Sequence, residues 1–217
     1  MPAARSSHHP HHSRDPWIQA GGWLFRHRTS IPLPLALTLL LLPRQELAHP
    51  RVVDAAGIAL VTAGELIRLW AVRHIGVISR TRSDRLGPLV ATGPFAVMRN
   101  PLYAGNVLLW AGFALGAHAV WMAIVVFVAL GLEYHAIVRW EEQLLETRMG
   151  DEYKEYVARV PRWIPTRMRP VERRAASSAV HADSTRVFSW RETFYSERGT
   201  LIAIAAGYLL LWAKSRL

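Results

Sequence analysis

Residues 93–105 read GPFAVMRNPLYAG and lead directly into an apolar segment that runs to Ala117. Asn100 is a favoured N-cap residue and Pro101 a favoured first helical residue, so the stretch predicts a helix that begins here. The N-terminus of a helix presents free N–H groups that bind carboxylates or phosphates. Arg99 would add a planar, bidentate partner for the same anion.

A pair of acids, Glu141 and Glu142, follows the next apolar segment. The two apolar segments are joined by little more than residues 116–118, so they are predicted to form a tight antiparallel helical hairpin. This hairpin returns the acids close to Asn100. Alone, the acids would be a solvated helix start. Opposite Arg99 they complete a site for a zwitterion, with a carboxylate at one end and an ammonium or sulfonium at the other.

The composition narrows the class of protein. The chain has 217 residues, of which 51% are hydrophobic, and a formal net charge of +10. The absence of Cys excludes disulfides, Cys-based metal sites and Cys nucleophiles. The basic residues lie mostly in loops beside apolar blocks, and no nucleic-acid-binding motif accompanies them. We therefore predict contact with a membrane surface and not with nucleic acid.

The apolar residues cluster in blocks close to the length that spans a bilayer, about 20 residues. We predict an all-α, polytopic helical membrane protein with about five spans, the tight hairpin and cytoplasmic amphipathic helices. Trp17, Trp23, Arg26 and Arg28 could anchor the first span at the interface, and a signal peptide is the alternative for that segment. The predicted spans are residues 23–42, 52–72, 102–117, 119–138 and 199–213.

The segment after the hairpin predicts two short amphipathic helices. The first covers residues 140–150 and ends at Gly150, and Asp151 can cap the second. Pro161 stops the second helix. The apolar stripe of the second helix has helical spacing and consists of Tyr153, Tyr156, Val157 and Val160.

Some polar and small residues lie inside the predicted spans. Glu65 and Arg68 are spaced to pair on one helix face. We favour the interpretation that they lie near the interface and snorkel, the alternative being a pair that faces the bundle interior. Gly112 and Gly116 form a Gly-x-x-x-Gly pair that permits close helix approach.

Basic residues predict the orientation. Residues 73–99 and 139–198 carry most of the Lys and Arg, whereas residues 43–51 carry only Arg44 and Arg51. The long loops and the N-terminus are therefore predicted to be cytoplasmic, and the C-terminus outside if the last block spans. Residues 1–22 are predicted to be a disordered, His-rich tail, with metal binding as the alternative, although no metal site is assigned.

These motifs resemble the isoprenylcysteine carboxyl methyltransferase and phospholipid methyltransferase superfamily, whose signature is Arg-His-Pro, a helical hairpin and then Glu-Glu. The resemblance covers residues 52–165. The matching segments are GPF (93–95), RNPLY with Gly105 (99–105), EE (141–142), GDEY with Tyr156 (150–156) and RVPRWIP (159–165). We therefore predict a membrane methyltransferase domain at 23–165. The composition of the remaining chain predicts a basic linker at 166–189 that contacts anionic lipid head groups and a C-terminal membrane helix at 190–217.

The resemblance implies an integral membrane enzyme that uses S-adenosylmethionine. Because the sulfonium loses its charge during transfer, an acid beside it would favour the ground state, so we assign Glu141 to the amino group of the cofactor. Asn100 replaces the usual His and keeps a hydrogen-bonding side chain, without an acid–base role. The family's cofactor contacts fall on Gly87, Pro88, Leu89, Val90, Phe95, Asn100, Pro101, Leu102, Tyr103 and Glu141.

Three residues are assigned catalytic roles. Arg99 would bind an anionic group, Glu142 or a water would accept the proton of an amine nucleophile, and Arg139 would lie near the lateral entry of the acceptor. The eukaryotic protein methyltransferases carry a substrate-contacting Arg four residues before the first acid, where this chain has Ile137.

The predicted function is methyl transfer, at the cytoplasmic face, to a lipophilic acceptor such as the carboxylate of an isoprenoid or lipidated cysteine. Phospholipid N-methylation and small-thiol S-methylation are the enzymatic alternatives. Membrane sterol reductases resemble the superfamily in their C-terminal half but are longer and use a nicotinamide cofactor. A non-enzymatic membrane scaffold is the remaining alternative, in which the Asn-Pro turn and the two acids serve only topology and solubility.

Overall fold

The computed structural model describes residues 15–76, 89–165 and 187–216, and within these ranges the chain is helical, without strands. The all-α prediction is therefore confirmed for the described residues. A short 3₁₀ turn, Gly93–Ala96, precedes the fourth helix. The helices are α1 (Pro16–His27), α2 (Pro32–Leu41), α3 (Pro50–Ile75), α4 (Pro101–Gly116), α5 (Val120–Met149), α6 (Asp151–Arg159) and α7 (Trp190–Lys214).

Helices α3 and α4 form the most extensive helix pair. Two glycine pairs let their backbones touch: a Cβ on Gly64 would lie 2.6 Å from the carbonyl oxygen of Gly105, and one on Gly57 would lie 2.9 Å from that of Gly112. The same Cβ on Gly57 would lie 3.2 Å from the backbone nitrogen of Gly116, whereas a Cβ on Gly116 itself would face Leu211 of α7. The close approach predicted from Gly112 and Gly116 is therefore present, and Gly64 with Gly105 extends it by two helical turns.

The hairpin of α4 and α5 is as tight as predicted. Helix α4 ends at Gly116 and α5 begins at Val120, with the intervening His118 at a φ of 54°. Nε2 of His118 lies 2.8 Å from a carboxylate oxygen of Asp54 and 3.0 Å from Nη2 of Arg44. Helix α5 continues without interruption to Met149, so the amphipathic helix predicted at 140–150 is the last part of α5.

The first predicted span is wrong as a single helix. Helix α1 ends at His27, and α2 starts at Pro32, whose ring lacks the N–H needed to continue the first helix. Helix α1 packs along α5, where a Cβ on Gly21 would lie 2.1 Å from the carbonyl oxygen of Ala136. Residues 16–22, which we had assigned to a disordered tail, therefore form the start of a docked helix.

Helix α7 belongs to the same bundle. A capping box of Ser189 and Glu192 starts it. Its Thr193 and Glu197 are each 1% exposed, and the helix packs chiefly against α3. At its other end, the Lys214 ammonium donates to the carbonyl oxygen of Leu39 at 2.7 Å.

Two of the described helices, α3 and α5, are long and apolar enough to cross a membrane. Helix α4 has 16 residues and α2 has 10, and α7 carries Glu197, Arg198 and Lys214 within its 25 residues. The prediction of about five spans is therefore not confirmed, and the prediction of cytoplasmic amphipathic helices stays a prediction.

Candidate active site

Five segments lie together at one end of the bundle: the end of α3, the 3₁₀ turn, the start of α4, the end of α5, and helix α6. Gly93 opens the turn at a φ of 58°, and a Cβ there would lie 2.4 Å from Nε2 of His74 on α3. Only a residue without a side chain fits both this backbone conformation and this contact. The glycine of the Gly-Pro motif therefore seats the turn directly against the end of α3.

The first polar feature of this end is an ion-pair group that we call the end cluster, consisting of Arg99, Glu142 and Arg162. The Arg99 guanidinium lies 3.1 Å from the Glu142 carboxylate. Arg162 binds the same carboxylate with both arms of its guanidinium, at 3.0 and 2.5 Å. Bidentate pairs of this kind are among the stronger side-chain interactions. Glu142 is thus held between two cations, an arrangement that opposes its predicted use as a proton acceptor.

Asn100 and its neighbour join the start of α4 to the segment that follows α6. Asn100 occupies the N-cap position, but its side chain makes no capping hydrogen bond. Its Nδ2 donates instead to the carbonyl oxygen of Arg162 at 3.1 Å, and the Arg99 N–H donates to that of Pro161 at 2.9 Å. Side-chain capping by Asn100 was therefore wrongly expected, whereas Pro101 is the buried first helical residue as predicted.

Glu141 lies in a different environment from its neighbour. One of its carboxylate oxygens accepts the Tyr103 hydroxyl at 3.0 Å, and no other hydrogen bond to it is found among the described residues. The Tyr103 ring stacks on Tyr134 with ring centroids 4.7 Å apart. Arg28 of α1 interacts electrostatically with both Glu141 and Tyr103. The carboxylate is therefore oriented by a phenol and retains an oxygen that can accept from a cation.

Helix α6 closes this end with an aromatic face. The Tyr156 hydroxyl donates to the carbonyl oxygen of Phe95 at 2.7 Å, which ties α6 to the 3₁₀ turn. Burial raises the pKa of Tyr156, and burial together with the Glu142 carboxylate raises that of Tyr153 to about 12. Both phenols are therefore neutral near pH 7 and act as hydrogen-bonding groups. Of the predicted apolar stripe, Tyr153, Tyr156 and Val160 are buried and Val157 is exposed.

The structure does not bring every predicted site residue to this end cluster. Arg139 forms an ion pair with Asp15, the N-cap residue of α1, and its side chain is 39% exposed. Ile137 is fully buried in the apolar core. Leu89 packs on the α6 aromatic face, and Val90 and Leu102 are half-buried. Gly87 and Pro88 lie outside the described residues.

Several residues that build this end were not predicted to belong to a site. Arg162 lies inside the resembling segment RVPRWIP, and its position directly after Pro161 was the available signal. Arg28 was predicted only as an interface anchor and His74 had no assigned role, because only the packing of α1 and α3 brings them here. Within residues 15–76, 89–165 and 187–216, no group of three His, Asp or Glu residues is placed to hold a metal ion.

The fold and the site define a class: helical membrane proteins with a polar site where a hairpin of helices returns to one end of the bundle. Within that class, residues 52–152 match the sequence profile of the phospholipid methyltransferase family. The match supports the superfamily resemblance inferred from the motifs, which is confirmed for this part of the chain.

Three relatives illustrate the similarity. The chain is 31% identical to the nickel-cobalt-cadmium resistance protein NccN of Alcaligenes xylosoxydans xylosoxydans over 113 residues, which are 52% of this chain and 48% of the relative. It is 30% identical to the cobalt-zinc-cadmium resistance protein CzcN of Cupriavidus metallidurans over 50% of this chain and 46% of the relative. Against protein-S-isoprenylcysteine O-methyltransferase B of Arabidopsis thaliana, identity is 26% over 50% of this chain and 57% of the relative.

The matched part of the chain spans about half the length of these curated relatives. No solved structure matches the chain significantly.

Proposed function

We propose that this chain is an S-adenosylmethionine-dependent membrane methyltransferase whose cofactor binds at the end of the bundle beside Glu141. The observation that carries the proposal is the unequal environment of the two acids. Glu142 is saturated by Arg99 and Arg162, whereas Glu141 accepts one hydrogen bond and keeps an oxygen for a cation. A bound ammonium would complete the environment of Glu141.

The donors and acceptors present fit an amino-acid group. The Nε of Arg99 is buried and has no hydrogen-bond partner among the described residues, so it can donate to a carboxylate that reaches the end cluster. Glu141 offers an acceptor for the ammonium of the same group. Arg99 directly precedes the N-cap of α4 and Glu141 contacts Tyr103 in its first turn, so both lie near a helix N-terminus, whose free N–H groups favour an anion. Together they would complement the two charges of a zwitterion.

S-adenosylmethionine supplies a methyl group on a sulfonium when it is bound. The residues of this chain would position the reactants, because an in-line displacement depends mainly on proximity and alignment. Tyr103 holds the Glu141 carboxylate in place through a neutral hydroxyl. Tyr156 and Phe95 would fix the turn that borders the cofactor. Leu89, Val90, Pro101 and Leu102 would contribute apolar surface for the adenosine group.

We propose a lipophilic acceptor, with a carboxylate of the isoprenoid or lipidated-cysteine type as the first candidate. The support comes from the phospholipid methyltransferase family and from the isoprenylcysteine methyltransferase relative. Ile137 is buried and Arg139 binds Asp15, whereas Arg28 interacts electrostatically with Glu141. A phospholipid amine and a small thiol are the alternative acceptors.

The long apolar helices α3 and α5, together with the family, indicate a membrane protein. We propose a multi-pass arrangement in which the end carrying Arg99, Glu141 and α6 faces the cytoplasm, as the positive charge of residues 139–198 favours. Anionic lipid head groups would then contact the basic residues beside the bundle.

The test is calorimetric titration of S-adenosylmethionine into the detergent-purified protein. We expect micromolar binding by the wild type and at least about tenfold weaker binding by Glu141→Gln, a loss of about 1.4 kcal/mol. Glu146→Gln is the matched control, since Glu146 lies on the same helix and is exposed. Absence of binding by a folded wild-type protein would leave the scaffold as the better explanation.

The acceptor is identified by transfer of radiolabelled methyl into membrane lipid extracts. A carboxyl methyl ester releases volatile methanol in alkali, whereas N-methyl and S-methyl products do not. Alkali-labile label would support the carboxylate acceptor, and alkali-stable label would support a phospholipid amine or a thiol.

A further inference from the structure

A second polar group lies inside the bundle, away from the end cluster, and we call it the buried network: Glu65, Arg68, Asn106, Tyr134, Glu197 and Thr200. At its centre, Arg68 of α3 donates to one carboxylate oxygen of Glu197 on α7 from Nε, at 3.1 Å, and from Nη2, at 2.6 Å. Glu65, one turn earlier on α3, lies 3.7 Å from the same guanidinium. The interpretation that Glu65 and Arg68 snorkel to the interface is wrong, because their side chains are only 9% and 13% exposed.

The network continues from Arg68 toward the proposed cofactor site. Nη1 of Arg68 donates to the side-chain oxygen of Asn106 at 2.5 Å, and Nδ2 of Asn106 donates to the Tyr134 hydroxyl at 3.2 Å. The Tyr134 ring stacks on Tyr103, whose hydroxyl donates to Glu141. An unbroken series of contacts thus joins α7 to the carboxylate proposed to hold the cofactor.

Each member of the series restricts the next one. A guanidinium only donates, so Asn106 must present its oxygen to Arg68 and its NH₂ group to Tyr134. Arg68 can take this orientation because Glu197 accepts two of its donors. Without the Glu197 charge, the guanidinium would be drawn toward Glu65 and away from Asn106, since an opposite charge in an apolar surrounding acts strongly.

We propose that Glu197 and Arg68 are positioning residues for Glu141, acting through Asn106, Tyr134 and Tyr103. The inference rests on the proposed function, because it concerns the cofactor contact made by Glu141. Helix α7 lies beyond residues 52–152, the part that matches the family. If Glu197 positions Glu141, α7 would contribute to the geometry of the proposed cofactor site although it lies outside the matched segment.

A double-mutant cycle tests the coupling across this distance. Glu197→Gln keeps the shape of the side chain and removes its charge, and Tyr103→Phe removes the hydroxyl that orients Glu141. We expect each change alone to raise the Kd for S-adenosylmethionine by roughly 3- to 10-fold. Together they should raise it no further than Tyr103→Phe alone, because both act through one contact. Tyr134→Phe, which keeps the stacked ring, should behave like Glu197→Gln.

The control cycle pairs Glu197→Gln with Arg162→Lys in the end cluster, where the fold-changes should multiply. Multiplying effects in the Glu197–Tyr103 cycle as well would overturn the positioning role. If the wild type binds no S-adenosylmethionine, the proposed function fails and the positioning role is decided by hydrogen exchange.

In that measurement, Glu197→Gln should speed amide exchange in peptides containing Tyr103 and Glu141 and leave α6 unchanged. Unchanged exchange near Tyr103, or an equal rise throughout the bundle, would show that Glu197 does not position this site. The exchange readout needs no cofactor, so it separates failure of the inference from failure of the proposed function.

Discussion

The end cluster and the buried network both contain Arg–Glu ion pairs, but the ratio of guanidiniums to carboxylates is reversed between them. The end cluster has two guanidiniums on one carboxylate, and the buried network has one guanidinium between two carboxylates. Their formal charges are therefore +1 and −1. The end cluster has an excess of positive charge that can attract an anion. In the buried network, the one guanidinium is held in a fixed orientation by its partners. The comparison shows that ion pairs in one small bundle can leave opposite charges in excess, two cations on one acid in one region and two acids around one cation in the other.

The largest effect on stability is expected at the close backbone contact between α3 and α4, because these two helices carry residues of both regions. Gly64→Val would place a Cβ 2.6 Å from the carbonyl oxygen of Gly105, which itself lies against Arg68. A backbone atom cannot move away without shifting the whole helix. We expect a loss of about 3 kcal/mol or more, seen as failure to fold or a large fall in Tm in detergent.

Gly131→Ala is the control for that substitution, because a Cβ at Gly131 meets nothing within 4 Å. It should be neutral or stabilise α5 by about 0.5–1 kcal/mol. Equal tolerance of both substitutions would contradict the close α3–α4 packing.

The next effect compares the two guanidiniums directly. Arg68→Ala leaves Glu197 buried without its main partner and should cost about 3–5 kcal/mol of stability. Arg162→Ala leaves Glu142 paired with Arg99, and the Arg162 side chain is 27% exposed, so we expect a loss nearer 1 kcal/mol. Thermal unfolding of both variants at matched detergent and salt decides this. A greater loss for Arg162→Ala would reverse the assignment of roles.

The smallest effect is a pH dependence at the site end. The pKa of Tyr153 is raised from 10.0 to about 12, so the folded state favours the neutral phenol. The stability that the folded state gains from this pKa difference is complete below pH 10 and is lost as the pH rises from 10 to 12. We expect Tm to fall over this range and to fall less steeply in Tyr153→Phe. The exposed Tyr195 provides the control, and Tyr195→Phe should leave the profile as in the wild type.

The local sequence pattern was enough to predict the helices whose apolar segments contain no break. The apolar blocks and their Pro, Gly and Asn boundaries predicted α3, α4, the hairpin and the start of α5 to within a few residues. The same reasoning failed at residues 23–42, where an apolar run concealed a break before Pro32. It also divided α5 at Val138, because the change from apolar to charged residues resembles a boundary although the backbone continues to Met149.

By itself, the sequence determined the helical class, the hairpin and the presence of Arg99, Tyr103, Glu141 and Glu142 at one end. These follow from residue type and spacing, which act over a turn or two of chain. Only the tertiary structure decided that Glu142 pairs with two guanidiniums whereas Glu141 accepts the Tyr103 hydroxyl. It also decided that Arg139 turns toward α1, and that Arg68 reaches Glu197. Those outcomes depend on which faces of distant helices meet, and an ion pair between residues more than 100 positions apart leaves no mark in local spacing.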